Sequence, residues 1–129
     1  MIGCLCFLRS LLAGSLVLLL LAPHAALSQS FFQSIEDLPL APGLTEAVNE
    51  GISFDSPQGR IATALARGAG DWEGYRRFYE TALPALGWER RAPGIYRRDG
   101  EVLRLEFRSC GSCVEGQIRV VPQGTEKDR

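Results

Sequence analysis

The chain has 129 residues, with 14 Lys and Arg against 15 Asp and Glu, so its formal net charge is −1. This length suits one small domain, and the balanced charge argues against nucleic acid or anionic lipid as the main partner. The only histidine, His24, lies within the first 28 residues, which are predicted below to be removed. The mature domain then has no imidazole for acid–base catalysis, catalytic triads or histidine-based metal sites, and we expect no enzymatic activity and no cofactor.

Residues 1–28 have the three parts of a secretory signal peptide. Arg9 and the N-terminal amine make the start weakly positive, and an apolar run follows over residues 11–22. As a helix this run is about 18 Å long, too short for about 30 Å of hydrocarbon. Small residues at Ala26 and Ser28 predict cleavage before Gln29. We therefore expect a periplasmic or secreted protein without a stable membrane span, with an uncleaved membrane anchor as the alternative.

Residues 29–50 are predicted to be an extended, proline-containing N-terminal segment. Pro39, Pro42 and Gly43 disfavour both helix and central strand, and we expect the leucines around them to lie across the domain as a cover. Residues 51–122 then form the single folded domain, and residues 123–129 are a frayed charged tail.

The domain is predicted to begin with two strands, at residues 52–54 and 60–67, joined by a turn that contains Pro57 and Gly59. The second segment is rich in alanine and could form a helix by propensity. However, its larger residues alternate at positions 61, 63 and 65, which favours a strand.

One helix is predicted at residues 71–86. Asp71 can cap its N-terminus, while Pro84 and Gly87 mark its end. Apolar residues follow helical spacing and predict one buried stripe, formed by Trp72, Tyr75, Tyr79, Ala82 and Leu86, with Phe78 and Leu83 widening it.

Beyond the helix the apolar period changes to two, which predicts antiparallel strands at residues 88–91, 95–98, 101–108 and 114–121. Asp99-Gly100 is a strong signal for a two-residue hairpin turn. The resulting order, β-β-α-β-β-β-β, predicts an α+β fold in which one amphipathic helix packs on a mostly antiparallel sheet.

Several short patterns in this region resemble a group of small exported proteins of Gram-negative bacteria. They are Leu38-Pro39 with Pro42-Gly43-Leu44, the segment from Phe54 to Ile61, and Phe78-Tyr79 followed by Leu83-Pro84-Ala85-Leu86-Gly87-Trp88. The resemblance covers about residues 36–107 and implies export and this fold. The group has no assigned activity, so no site residue transfers from it, and Cys110 and Cys113 lie outside the pattern.

Cys110-Gly111-Ser112-Cys113 is the only motif with a chemical interpretation. An oxidising compartment favours a disulfide between the two cysteines. A redox-active or metal-binding pair is the alternative, but thioredoxin-type catalysis needs the first cysteine at a helix N-terminus, and here strands are predicted on both sides. A zinc site would also need further ligands.

Arginines are frequent in the second half of the domain, and Arg104, Arg108 and Arg119 define a candidate binding face. Their guanidinium groups could grip phosphate or carboxylate groups of an envelope polymer. The alternative is a solvated face on which Glu89, Glu101, Glu106 and Glu115 pair with the arginines across strands.

These observations predict a non-enzymatic accessory or protein-binding module of the bacterial envelope. We expect its partner to be another envelope protein, met through a sheet edge or through the Arg/Glu face. The alternative is a thiol–disulfide or metal-handling protein that acts through Cys110 and Cys113.

Overall fold

A computed structural model of the chain describes residues 28–125. The predicted signal peptide, apart from Ser28, and the last four residues of the predicted tail lie outside this range. The strands are β1 (Leu44–Glu46), β2 (Ile52–Ser56), β3 (Gly59–Gly68), β4 (Glu89–Ala92), β5 (Ile95–Arg98), β6 (Glu101–Cys110) and β7 (Cys113–Pro122). The helix α1 (Trp72–Ala85) follows β3, and a 3-10 turn (Val48–Glu50) separates β1 from β2.

The strands form one antiparallel sheet in the order β1-β3-β7-β6-β5-β4, and β2 also pairs with β3. Because β7 occupies one side of β3, β1 and β2 pair with successive parts of its other side. Helix α1 packs over β6 and β4 on one face of the sheet. The predicted α+β fold is confirmed. Within residues 28–125, no helix is long and apolar enough to cross a membrane.

The predicted strand at residues 60–67 is confirmed as part of β3, and its two faces differ. Ala62, Ala64 and Ala66 are buried in the core that also contains residues of the N-terminal segment and α1. Their small side chains let these elements approach the sheet closely. The larger Ile61 and Leu65 alternate with them and therefore point to the opposite face. The alanines, which suggested a helix by propensity, are in fact the packing surface of a strand.

The N-terminal segment belongs to the same core as the helix and the sheet. Phe32, Ile35 and Leu38 are almost completely buried, and Leu44 is buried with them, in agreement with the predicted cover. The segment was otherwise expected to be irregular, but residues 44–46 form β1 because they pair with residues 66–68 at the edge of β3. A strand of three residues is too short to show an alternating apolar pattern, so the sequence did not predict β1.

Tyr79 joins the helix to this segment. Its hydroxyl donates a hydrogen bond to the carbonyl of Pro39 at 2.9 Å and accepts one from the N–H of Ala41 at 3.2 Å. Burial raises the pKa of this hydroxyl far above its ordinary value, and the bond from Ala41 only partly opposes that shift. The phenol is therefore a neutral, buried link between two elements.

The buried stripe of α1 differs from the prediction. Asp71 caps the helix as expected, accepting a hydrogen bond from the N–H of Gly74 at 2.8 Å. However, the buried residues are Tyr75, Tyr79 and Leu83, while Trp72 and Leu86 are each 38% exposed. The line that faces the sheet follows i, i+4 and i+8 from Tyr75, so residues at the two ends of the longer predicted stripe lie beyond it.

Two backbone features fix the hairpin region. Asp99 and Gly100 both have positive φ, 47° and 79°, which confirms the predicted two-residue turn between β5 and β6. Gly116 lies opposite Phe107 in the sheet, and a Cβ atom at this position would come within 2.4 Å of the Phe107 ring. The bare backbone lets this ring lie flat and stack on Tyr75 and Tyr79 at centroid distances of 5.9 Å.

A cluster of charges fixes the N-terminal segment to one end of the sheet. The Asp37 carboxylate accepts hydrogen bonds from Arg98 and, at 3.1 Å, from Arg60. Arg60 also donates to Glu101, and the Arg98 guanidinium lies 4.3 Å from the centre of the Trp88 ring. Burial acts to raise the pKa of Asp37, but the two arginines outweigh it, and the pKa lies below its ordinary value.

Candidate binding surface

The face of the sheet that α1 does not cover is called here the open face. Residues directly opposite each other on neighbouring strands point to the same side of a sheet. One row on the open face therefore begins with Phe54 and Ile61, and continues through Val121 and Val102 to Arg97. The next row joins Ile52 to Thr63, Arg119 and Arg104, and ends at Ile95. The open face is thus apolar at β2 and has arginines on β7, β6 and β5.

The apolar end lies on an edge strand. Strand β2 pairs only with β3, so within the described part of the chain no strand covers its outer edge. Ile52 is 58% exposed and Phe54 is 52% exposed, and both point to the open face. Two large apolar side chains beside unpaired backbone groups form the most exposed apolar site on the sheet.

The sequence-predicted arginines all lie on the open face, but in two different settings. Arg104 and Arg119 are directly opposite each other on β6 and β7. Arg108 lies opposite Glu115 and donates to its carboxylate at 2.7 and 3.1 Å. Arg119 makes no ion pair with any residue between 28 and 125.

Glu115 also accepts a hydrogen bond from Arg67 at 3.1 Å, and Arg67 binds Glu50 in turn. The hydrogen bonds from Arg108 and Arg67 lower the pKa of Glu115 below its ordinary value. This chain of four residues is balanced in charge, and all of its side chains except that of Glu115 are exposed, so it contributes little stability. Arg108 is therefore occupied by an intramolecular partner, whereas Arg119 offers its guanidinium to solvent.

The other glutamates differ in whether they pair with an arginine of another strand. Glu101 pairs with Arg60 at 3.0 Å, whereas Glu89 pairs with Arg91 on its own strand. Glu106 forms no ion pair with another of the described residues. The predicted solvated network of paired charges thus covers the Glu115 region, and within residues 28–125 it does not include Glu106 or Arg119.

Shallow hollows interrupt the open face. One of about 230 Å³ is lined by Ile61, Val121, Arg119 and Thr125. Another of about 260 Å³ lies between Arg104 and Arg119, with Glu106 and Gln117 completing its rim. The surface therefore combines apolar recesses with nearby guanidinium groups, which suits a partner that has both apolar and acidic groups.

A disulfide joins Cys110 and Cys113 across the β6–β7 turn. The two cysteines are paired in the hairpin register, with Cα atoms 4.9 Å apart, and the first lies at the end of a strand rather than at a helix N-terminus. This setting lacks the helix dipole that lowers a thiol pKa in thioredoxin-type sites. Among residues 28–125, no three His, Cys, Asp or Glu side chains lie close enough together to hold a metal ion.

No known protein family, no curated protein and no solved structure matches this chain. The most exposed large apolar side chains of the sheet are those of Ile52 and Phe54. Sequence reasoning located their strand but did not identify them as exposed. The available signal was the alternation in β3, because a strand with alanines on one side and larger residues on the other can be packed closely only on the alanine side.

Proposed function

We propose that the protein is a small exported, non-enzymatic module of the bacterial envelope that binds another protein through the open face. The observation that carries this proposal is the exposure of Ile52 and Phe54 on the uncovered edge strand β2. Natural sheets usually protect such edges with lysine, proline or a bulge. An edge that instead presents isoleucine and phenylalanine is suited to contact with a partner.

The charges on the same face define the partner further. Arg119 lies opposite Thr63 on the next strand, so its guanidinium group borders the apolar end. Carboxylates on a partner could accept hydrogen bonds from this guanidinium group, and charge complementarity would fix the orientation of the partner. The partner we propose therefore has an apolar contact patch flanked by acidic side chains.

Export and the compartment are supported by the signal-like residues 1–28 and by the resemblance described above. The proposed location is the periplasm or the exterior. A thiol–disulfide role for Cys110 and Cys113 ranks second, because the bridge closes a hairpin and lacks the helical setting that activates a thiol.

Replacement of Phe54 by aspartate tests this proposal. We expect the native protein, in envelope extracts separated by size, to migrate in a complex, and Phe54→Asp to shift it to the monomer. Since Phe54 is half exposed, its free energy of unfolding should change by less than about 1 kcal/mol. Arg77→Asp, on the exposed side of α1, is the matched control and should retain the complex. A monomeric native protein, or a complex that survives Phe54→Asp, would refute the proposal.

A further inference from the structure

The register of the β2–β3 hairpin shows which backbone groups of β2 point outward. Ser56 and Gly59 are paired across a turn of only two residues. Residues that close so short a turn exchange both backbone hydrogen bonds, because no further pair lies inside the turn. Such pairs alternate along the strand with pairs that exchange none. The backbone groups of Phe54 therefore point to β3, and those of Ser53 and Asp55 point away from it.

These outward groups are accessible and regularly spaced. Ser53 and Asp55 are both exposed, and neither has a hydrogen-bond or ion-pair partner outside its own hairpin among residues 28–125. The register between β2 and β3 runs through five pairs without a shift. A row of N–H and C=O groups on a straight edge is what a further strand needs for pairing.

The other end of the sheet, β4, is protected against such pairing. Its register with β5 shifts between Arg90 and Ala92, and residues 89–91 are all charged. Bulges and charged side chains are common means by which natural sheets prevent a strand from adding to an edge. Strand β2 has no bulge and only one charged residue, Asp55. Of these two edges, β2 is therefore the one that can accept a strand.

We infer that the partner adds an extended segment to the outer edge of β2 as a further strand of the sheet. The inference rests on the proposed function, because it concerns the same apolar end of the open face and states how the partner binds there. Backbone hydrogen bonds to Ser53 and Asp55 hold the segment. Every second side chain of the segment lies beside Ile52 and Phe54, so these side chains are apolar.

The charges around Asp55 define the remaining side chains of the segment. Asp55 lies directly opposite Arg60, but Arg60 donates its hydrogen bonds to Asp37 and Glu101. Opposite charges on neighbouring strands attract, so the segment carries lysine or arginine beside Asp55. This side chain lies on the side of β2 away from the open face, and it is therefore compatible with acidic groups of the partner near Arg119.

A proline at position 53 tests the added strand. Ser53→Pro removes an outward N–H and leaves the bonds between β2 and β3 intact, and edge strands tolerate proline at such positions. We expect the complex in envelope extracts to weaken about tenfold or more. Ser53→Ala, the matched control, removes only the hydroxyl and should leave the affinity within about twofold. Amide spectra of the purified variants show whether each is folded.

Charge reversal tests the basic side chain of the segment. Asp55→Lys places like charges side by side and should weaken the complex about fivefold. Glu73→Lys reverses a charge on the exposed side of α1 and should have little effect. Equal effects of the two substitutions would overturn the assignment of lysine or arginine beside Asp55.

Amide hydrogen exchange of the native complex needs no variant, so it decides the question even if Ser53→Pro does not fold. Exchange at Ser53 and Asp55 should be fast in the free protein and about tenfold or more slower in the complex. Unchanged exchange at both residues would overturn the inference and leave the proposed function standing, as would a complex that Phe54→Asp abolishes and a folded Ser53→Pro retains. A monomeric native protein, or a complex of two copies of this chain, would overturn both.

Discussion

Single side chains connect parts of this small fold whose contacts the sequence pattern does not predict. Tyr79 is the clearest case, because its hydroxyl satisfies both a carbonyl and an N–H of the proline-containing segment. Unpaired buried backbone groups cost about 1–3 kcal/mol each, so one phenol oxygen fixes a segment that has little regular structure. The sequence predicted Tyr79 as a core residue from its helical spacing, but spacing contains no information about which distant backbone its hydroxyl reaches.

Replacement of Tyr79 by phenylalanine should lower the free energy of unfolding by about 1–3 kcal/mol, because Pro39 and Ala41 lose their partner. Chemical denaturation measures this loss. Tyr96→Phe is the control, since the Tyr96 hydroxyl makes no hydrogen bond within residues 28–125 and its removal should cost less than about 0.5 kcal/mol. Equal effects of the two substitutions would contradict this role of Tyr79.

At the scale of elements, the hairpins and the single helix were predictable because their signals are local. Asp99-Gly100 fixes a turn through backbone conformation, and Asp71 fixes the start of α1. The buried stripe was predicted too wide because helical spacing marks apolar residues without showing how far the sheet extends beneath them. Trp72 lies past the contact line, and its ring is covered on one side by Arg76, at 5.6 Å, rather than by the core.

The β6–β7 hairpin yields a prediction about the disulfide. A bridge that closes so short a loop stabilises by at most about 2 kcal/mol, and ten register pairs already join the two strands. The double variant Cys110→Ser, Cys113→Ser should therefore remain folded and lose about 1–2 kcal/mol in thermal or chemical unfolding.

The same double variant separates the two functional hypotheses. A structural bridge predicts that the complex that depends on Phe54 survives the loss of both cysteines. Disappearance of the complex from a variant that is still folded would instead favour the thiol–disulfide alternative.

Within residues 28–125, one face of the sheet is covered by the helix side of the core and the other face is not. The alanine side of β3 is buried in one core with residues of the helix and of the N-terminal segment, and Asp37 binds Arg60 and Arg98 and so holds that segment in place. The fold class follows from the sequence because periods of two and of 3.6 residues are local properties. The packing of residues 29–50 and the asymmetry of the two faces do not, because both depend on contacts between residues distant in the chain.

The candidate surface was predictable only in part for the same reason. Alternation placed Arg104 and Arg108 on one face of their strand, but the neighbour of each depends on strand order. The sheet brings Arg119 opposite Arg104 and Glu115 opposite Arg108. Arg108 pairs with Glu115, whereas Arg119 makes no ion pair within residues 28–125. Equivalent arginines in the sequence therefore have different capacities for a partner.

The most direct test of the central claim, that the open face binds another protein, is site-specific photo-cross-linking in intact cells. A cross-linking residue at position 54 should give an adduct of defined mass, whereas the same residue at position 77, on the outer side of α1, should give none. An adduct that contains a second, different protein would support the account. No adduct at position 54, the same adduct at both positions, or an adduct of twice the protein's own mass would contradict it.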